Sequence, residues 1–164
     1  MRILTWNRKS NPAVQKKWFV LDEPAGARGS LGKKENRMQI RRINSEAALV
    51  PTTGYSQALE VAGHTRMLFV SGQIPVGADG AVPEGFEAQC RLAWSNVEAQ
   101  LKAAGMTLDN LVMHRTYLAD RRYTMLNRAV RSEVLGSRET ALTVVIAGIF
   151  DEAWLLEIEA VAAG

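Results

Sequence analysis

Apolar and polar positions alternate with a period of two along several short stretches of the chain and recur every three to four residues along two longer ones. The run Met38-Gln39-Ile40-Arg41-Arg42-Ile43 opens the pattern as a first strand. Tyr55 to Ala62 and Met67 to Gly72 are also strand-like, and Ala62-Gly63-His64-Thr65 between them reads as a hairpin connection, so these two strands are expected to pair antiparallel. Phe86, Cys90, Ala93, Val97, Leu101 and Ala104 share one helical face, which predicts an amphipathic helix over 85–104 that Gly105 ends. Leu111 to Leu118 has the length and β-branched content of a strand, and Arg122 to Leu135 predicts a second helix closed by Gly136. Ala141 to Phe150 and Trp154 to Ala162 finish the chain as strands, separated by a tight turn at Asp151-Glu152-Ala153.

The order β, β, β, α, β, α, β, β predicts an α+β fold: a mixed sheet with two helices packed on one face. The other face then needs a cover. In Leu142 to Phe150 both alternating sets are apolar apart from Thr143, so this strand is expected to be buried on both sides. A second subunit is the simplest cover, because an open face of this kind would be a larger apolar patch than soluble monomers normally carry. The pattern does not set the stoichiometry.

A chain of 164 residues with 47% hydrophobic content supplies one domain of ordinary size. With Cys90 as its one cysteine it forms no internal disulfide, and it has no apolar run near the roughly 18 to 20 residues that span a bilayer. The expectation is a soluble, cytoplasmic protein without a membrane partner. The net charge of +3 divides unevenly: residues 1–37 hold nine basic and three acidic side chains, and residues 38–164 hold eleven and fourteen. The body, 38–164, is therefore net acidic, and the basic character belongs to an N-terminal extension, 1–37, that is expected to be disordered. Three readings are open for that extension: residues ahead of a true start at Met38, a targeting segment, or a basic arm that visits nucleic acid or anionic lipid.

Chemistry is sparse in the body. His64 and His114 have no neighbouring ligand at metal spacing, so no metal is expected, and Cys90 sits on the apolar stripe of the first helix as a buried, inert thiol. No phosphate-binding loop, dinucleotide fingerprint or Gly-x-Ser-x-Gly elbow is present, so no cofactor is expected. Glu157 and Glu159 are two apart on the last strand and project from one face, opposite Leu156, Ile158 and Ala160. Two such carboxylates are either solvated or paired with arginines, or one of them holds a water molecule as a general base.

Several segments resemble the RidA/YjgF superfamily, also called endoribonuclease L-PSP. They are Tyr55-Ser56-Gln57-Ala58, Phe69-Val70-Ser71-Gly72-Gln73-Ile74-Pro75, Ala103-Ala104-Gly105 with Leu108-Asp109, Asn127, and Leu156-Glu157-Ile158-Glu159-Ala160. The resemblance implies a chorismate-mutase-like fold assembled as a homotrimeric barrel, with small-molecule clefts at the subunit interfaces. It also implies hydrolysis of enamines and imines to a 2-oxo acid and ammonia without a cofactor, as in 2-iminobutanoate/2-iminopropanoate deaminases. By motif, Glu157 would position the attacking water, Tyr55, Ser71 and Gly72 would line the cleft, and Asn127 would shape it.

Leu142 stands where the deaminase branch has the arginine that clamps the substrate carboxylate, and Val144 stands where a cysteine is frequent. Leucine makes no charge-assisted pair with a carboxylate, so binding of a 2-imino acid in the usual pose should be impaired. Arg138, four residues before Leu142, has a route to the cleft from the preceding loop, although surface solvation is the ordinary fate of such a side chain. Two function classes follow: a hydrolase for an imine-like substrate lacking the usual carboxylate, or a trimer that binds a metabolite without turnover. RNA cleavage has little support, because the body is acidic and has no aromatic stacking platform.

Overall fold

The computed structural model describes residues 37–164, residue 53 excepted. Most of the predicted extension lies outside the described residues.

Among the described residues, six strands and two α-helices follow in the expected order: β1 (Gln39–Ile43), β2 (Ala58–Ala62), β3 (Met67–Gln73), α1 (Phe86–Ala103), β4 (Leu111–Leu118), α2 (Thr124–Leu135), β5 (Ala141–Ile146) and β6 (Leu156–Ala163). Strands β3, β6, β4 and β5 form one sheet in that spatial order, with β4 and β5 parallel and the other pairs antiparallel. The architecture is thus α+β with a mixed sheet. Helix α1 lies on β6 and β3, and α2 packs beside α1. Their apolar faces meet Leu156, Ile158, Ala160 and Ala162 of β6, with Cys90, Trp94, Val97, Leu101, Val130 and Leu135 in the same buried cluster. Fully burying a side chain the size of Leu156 or Ile158 stabilises the fold by about 1.5–3 kcal/mol.

The C-terminus of α1 shows how the local sequence sets a boundary. Gly105 takes φ +69°, a region costly for a residue with a Cβ, and its N–H donates to the Lys102 carbonyl (2.9 Å) while that of Met106 donates to Leu101 (2.8 Å). The chain turns there and Met106 folds back, buried against the core.

Two expectations are corrected. Strands β2 and β3 do not form a hairpin: β2 pairs antiparallel with β1, and β3 with β6. The reason lies in the connection, where the amides of Thr65 and Arg66 both donate to the Gly164 carbonyl (2.8 Å each) and Gly164 N–H donates to the Arg66 carbonyl (3.0 Å). The end of the chain takes the bonds a hairpin would need and draws β3 alongside β6. The second correction concerns β5, which ends at Ile146 and lies at the sheet edge. Within one chain it is not buried on both faces, since Val144, Val145 and Ile146 are all exposed. Ala147 N–H makes a bond to the Leu118 carbonyl (3.0 Å), after which the backbone leaves the sheet and Phe150 stands 95% exposed.

Candidate functional site

The face of the sheet away from the helices carries the two glutamates. Register places Glu157 opposite Tyr117 and Glu159 opposite Arg115 on β4. Glu159 is ion-paired with Arg115. The Glu157 carboxylate makes no hydrogen bond or ion pair among the described residues. Its surroundings are shaped by an irregularity in the β3–β6 ladder between Val70 and Gln73, which sets Gly72 against the Glu157 side chain. Ser71, beside Gly72, lines a cavity of about 470 Å³ on this face with Phe69, Met113, Arg115 and Glu159.

Tyr55, Asn127 and Val144 come together elsewhere, around a cavity of about 330 Å³ between the segment 49–52, α2 and β5. Asn127 is buried, and the Cys90 thiol lies 3.9 Å from its Oδ1, so a weak S–H bond holds the amide. One turn further along α2, Arg131 lines the same cavity and is 7% exposed. Burial lowers its pKa, and the charge of Arg128 lowers it further. Leu142 is half-buried and pairs with His114, two residues before Val144, but it does not line the cavity.

Three further side chains are held by burial or pairing. The Cys90 thiol is fully buried, which pushes its pKa up to about 12. His114 is fully buried too, donating to or accepting from Thr140 Oγ1 at 2.9 Å, and burial, aided by the charge of Arg131, pulls its pKa down to about 3. Arg138 does not reach the cavity: its Nε binds Asp109 Oδ1 at 2.6 Å and its Nη1 donates to the Leu135 carbonyl. Among the described residues, no cluster of three His, Cys, Asp or Glu side chains is placed to hold a metal ion, and no helix is long and apolar enough to cross a membrane.

Residues 45–164 match the family described as Endoribonuclease L-PSP. The chain belongs to the RidA/YjgF superfamily. A RutC family protein of Pyrococcus horikoshii is 34% identical over 122 residues, covering 73% of this chain and 94% of that protein. A RutC family protein of Aquifex aeolicus is 40% identical over 82 residues, which cover 49% of this chain and 63% of that one. Among solved structures, the Rid-family protein YyfB of Yersinia pestis superposes with a TM-score of 0.66 at 26% identity, over 76% of this chain and 98% of its own. The α+β fold with two helices on a mixed sheet is thus the RidA fold.

Within this RidA-family chain, the residues marked by sequence fall into two groups that do not share a cavity. Gly72 and Glu157 meet on the open face of the sheet, whereas Tyr55, Asn127 and Val144 gather beside α2 and β5. Arg131 was not singled out in the sequence. Its signal is present all the same, since it lies four residues after Asn127 and so on the same helical face.

Proposed function

We propose that the protein hydrolyses an imine, an enamine or a related small metabolite in a cleft completed between copies of the chain, with Glu157 positioning the water. The observation that carries this is the difference between the two carboxylates: Arg115 neutralises Glu159, while Glu157 stands without a partner among the described residues. A carboxylate so placed accepts a proton from water as the oxygen attacks the C=N carbon. That proton passes to nitrogen, the hydroxyl proton of the tetrahedral adduct follows it by way of the same carboxylate, and the C–N bond breaks so that ammonia leaves as the carbonyl forms.

Assembly into a homotrimer is part of the same proposal. Phe69 is 72% exposed on the open face, and Met67, Val145 and Ile146 are exposed beside it or on the edge strand. A partner chain would cover them and would bring the Glu157 face of one copy towards the Tyr55–Asn127 cavity of another. The working unit in this reading is 38–164, acting in the cytoplasm.

The second reading, a trimer that binds a metabolite without turnover, is favoured by Leu142, which offers no charge to a substrate carboxylate. Hydrolysis of 2-iminobutanoate, made in situ by a threonine dehydratase, separates the two in wild type, Leu142→Arg and Glu157→Ala. Turnover in wild type that is lost in Glu157→Ala supports the hydrolase. No turnover in wild type or in Leu142→Arg sinks it and leaves the binding protein.

A further inference from the structure

Gln89 and Asn96 lie two turns apart on one face of α1, and each directs its amide to backbone outside the helix. Gln89 is buried. Its Nε2 donates to the Pro83 carbonyl (3.1 Å) and the Ala153 carbonyl (2.9 Å), and its Oε1 accepts from Leu155 N–H (2.8 Å). Asn96 Nδ2 donates to the carbonyls of Ile74 (2.9 Å) and Val76 (3.0 Å). Buried amides find partners in any fold, and anchoring loops would be reason enough. What sets this pair apart is where the bonded groups stand. Leu155 immediately precedes β6 and comes two residues before Glu157, while Ile74 immediately follows β3 and comes two residues after Gly72. The Leu155 carbonyl also accepts from Ala119 N–H at 3.0 Å, so the entry to β6 is held from two sides.

The sheet does not fix the Glu157 site unaided. The β3–β6 ladder runs in register from Met67 to Val70, breaks, and resumes at Gln73 opposite Ile158. Ser71 and Gly72 fall in the break, where cross-strand pairing is interrupted, yet the Glu157 carboxyl stands in the space that a Cβ on Gly72 would need. The geometry points to Gln89 and Asn96 as positioning residues, which set Glu157 against Gly72 by tying the entry of β6 and the exit of β3 to one helix face. This deepens the proposed function and rests on its reading of Glu157 as the carboxylate that positions water. Helix α1 is a stiff template for the task, since its buried face packs on both strands. Neither amide meets a reacting atom, because α1 lies on the face of the sheet away from Glu157. Their leverage comes from distance: a misplacement of about 1 Å at a reacting group can cost about 100-fold in rate.

The test compares the full chain with Gln89→Met, which keeps the side-chain volume and drops the amide, and with Asn96→Ala. Two quantities are read on folded protein: kcat and KM for 2-iminobutanoate hydrolysis, and the nuclear Overhauser contact between Gly72 Hα and Glu157 Hγ. Wild type is expected to show the contact. Each variant should lose it and should lower kcat about tenfold or more while KM stays within about twofold. A merely structural role would reduce the amount of folded protein and leave both readings on that protein as they were. Absence of the contact in wild type, or a contact and kcat unchanged in both variants, overturns the proposal. If Gln89→Met does not fold, Asn96→Ala decides, because Asn96 is only part-buried and its bonds go to the segment after β3. The contact keeps the two claims apart. Its loss in the variants of a protein that shows no turnover supports the positioning and removes the hydrolase, while a retained contact beside turnover that needs Glu157 does the reverse.

Discussion

The carboxylate arm of Glu157 fills the space that any side chain at residue 72 would need. A Cβ placed on Gly72 would stand 2.5 Å from Glu157 Cδ and 2.9 Å from Cγ, well inside van der Waals contact. The obstructing atoms are the far part of a flexible side chain, so substitution should displace Glu157 before it disturbs the sheet. Gly72→Ala is therefore expected to lower imine hydrolysis at least tenfold while costing less than about 1 kcal/mol of stability, because only the end of a flexible side chain has to move. Paired measurement of turnover and urea unfolding checks this, and full activity in Gly72→Ala would remove Glu157's position from the mechanism.

The thiol of Cys90 should be silent in the folded protein. It is fully buried on α1, its pKa is pushed up to about 12, and its S–H points to Asn127. Ellman's reagent is expected to find no reactive thiol under native conditions at pH 8 and one thiol per chain in strong denaturant. Rapid native labelling would mean that α1 opens locally, and the Asn127 side of the cavity with it.

These two positions also show what was legible in the sequence. The helical recurrence of Phe86, Cys90, Ala93, Val97 and Leu101 placed α1 to within a residue at each end, because a 3.6-residue period survives in the sequence whatever the tertiary partners are. Partner choice among strands does not survive in that way. The turn-like Ala62-Gly63-His64-Thr65 was compatible with a hairpin, and only the position of Gly164, ninety-odd residues later, diverts β3 to β6. The apolar run of β5 was legible as composition, but its burial depends on what lies beyond the chain. Arg131 was missed for a related reason: its isolation is a property of the cavity, while the sequence shows only one more arginine on an exposed-looking helix.

Exposure of Phe69 at 72% on the open sheet face, next to Val161 in register, is hard to reconcile with a monomer. Wild type is expected to sediment as a trimer, and Phe69→Glu to shift it towards monomer by placing a charge in the proposed interface. Because each copy alone holds the Glu157 group apart from the Tyr55–Asn127 cavity, the same variant should lose imine hydrolysis along with assembly. A monomeric wild type would contradict both halves of this expectation.

Protonation of His114 should oppose folding. The imidazole is fully buried between Trp94, which meets its ring edge-on at 5.1 Å, and Thr140, with Arg131 adding positive charge nearby, and its pKa falls to about 3. The unfolded chain releases this side chain to its ordinary value of about 6.5. Between those values the unfolded state binds the extra proton, so the contribution of His114 is whole above about pH 6.5 and is lost as pH falls towards 3. The slope from this one residue is at most about 1.4 kcal/mol per pH unit. Carboxylates titrate over part of the same range, so the comparison must be with His114→Gln: urea unfolding at pH 7.5, 5.5 and 4.5 should show a steeper loss in wild type than in the variant. Parallel slopes would mean that the fold accepts a proton at His114 and that its burial carries no cost in this pH range.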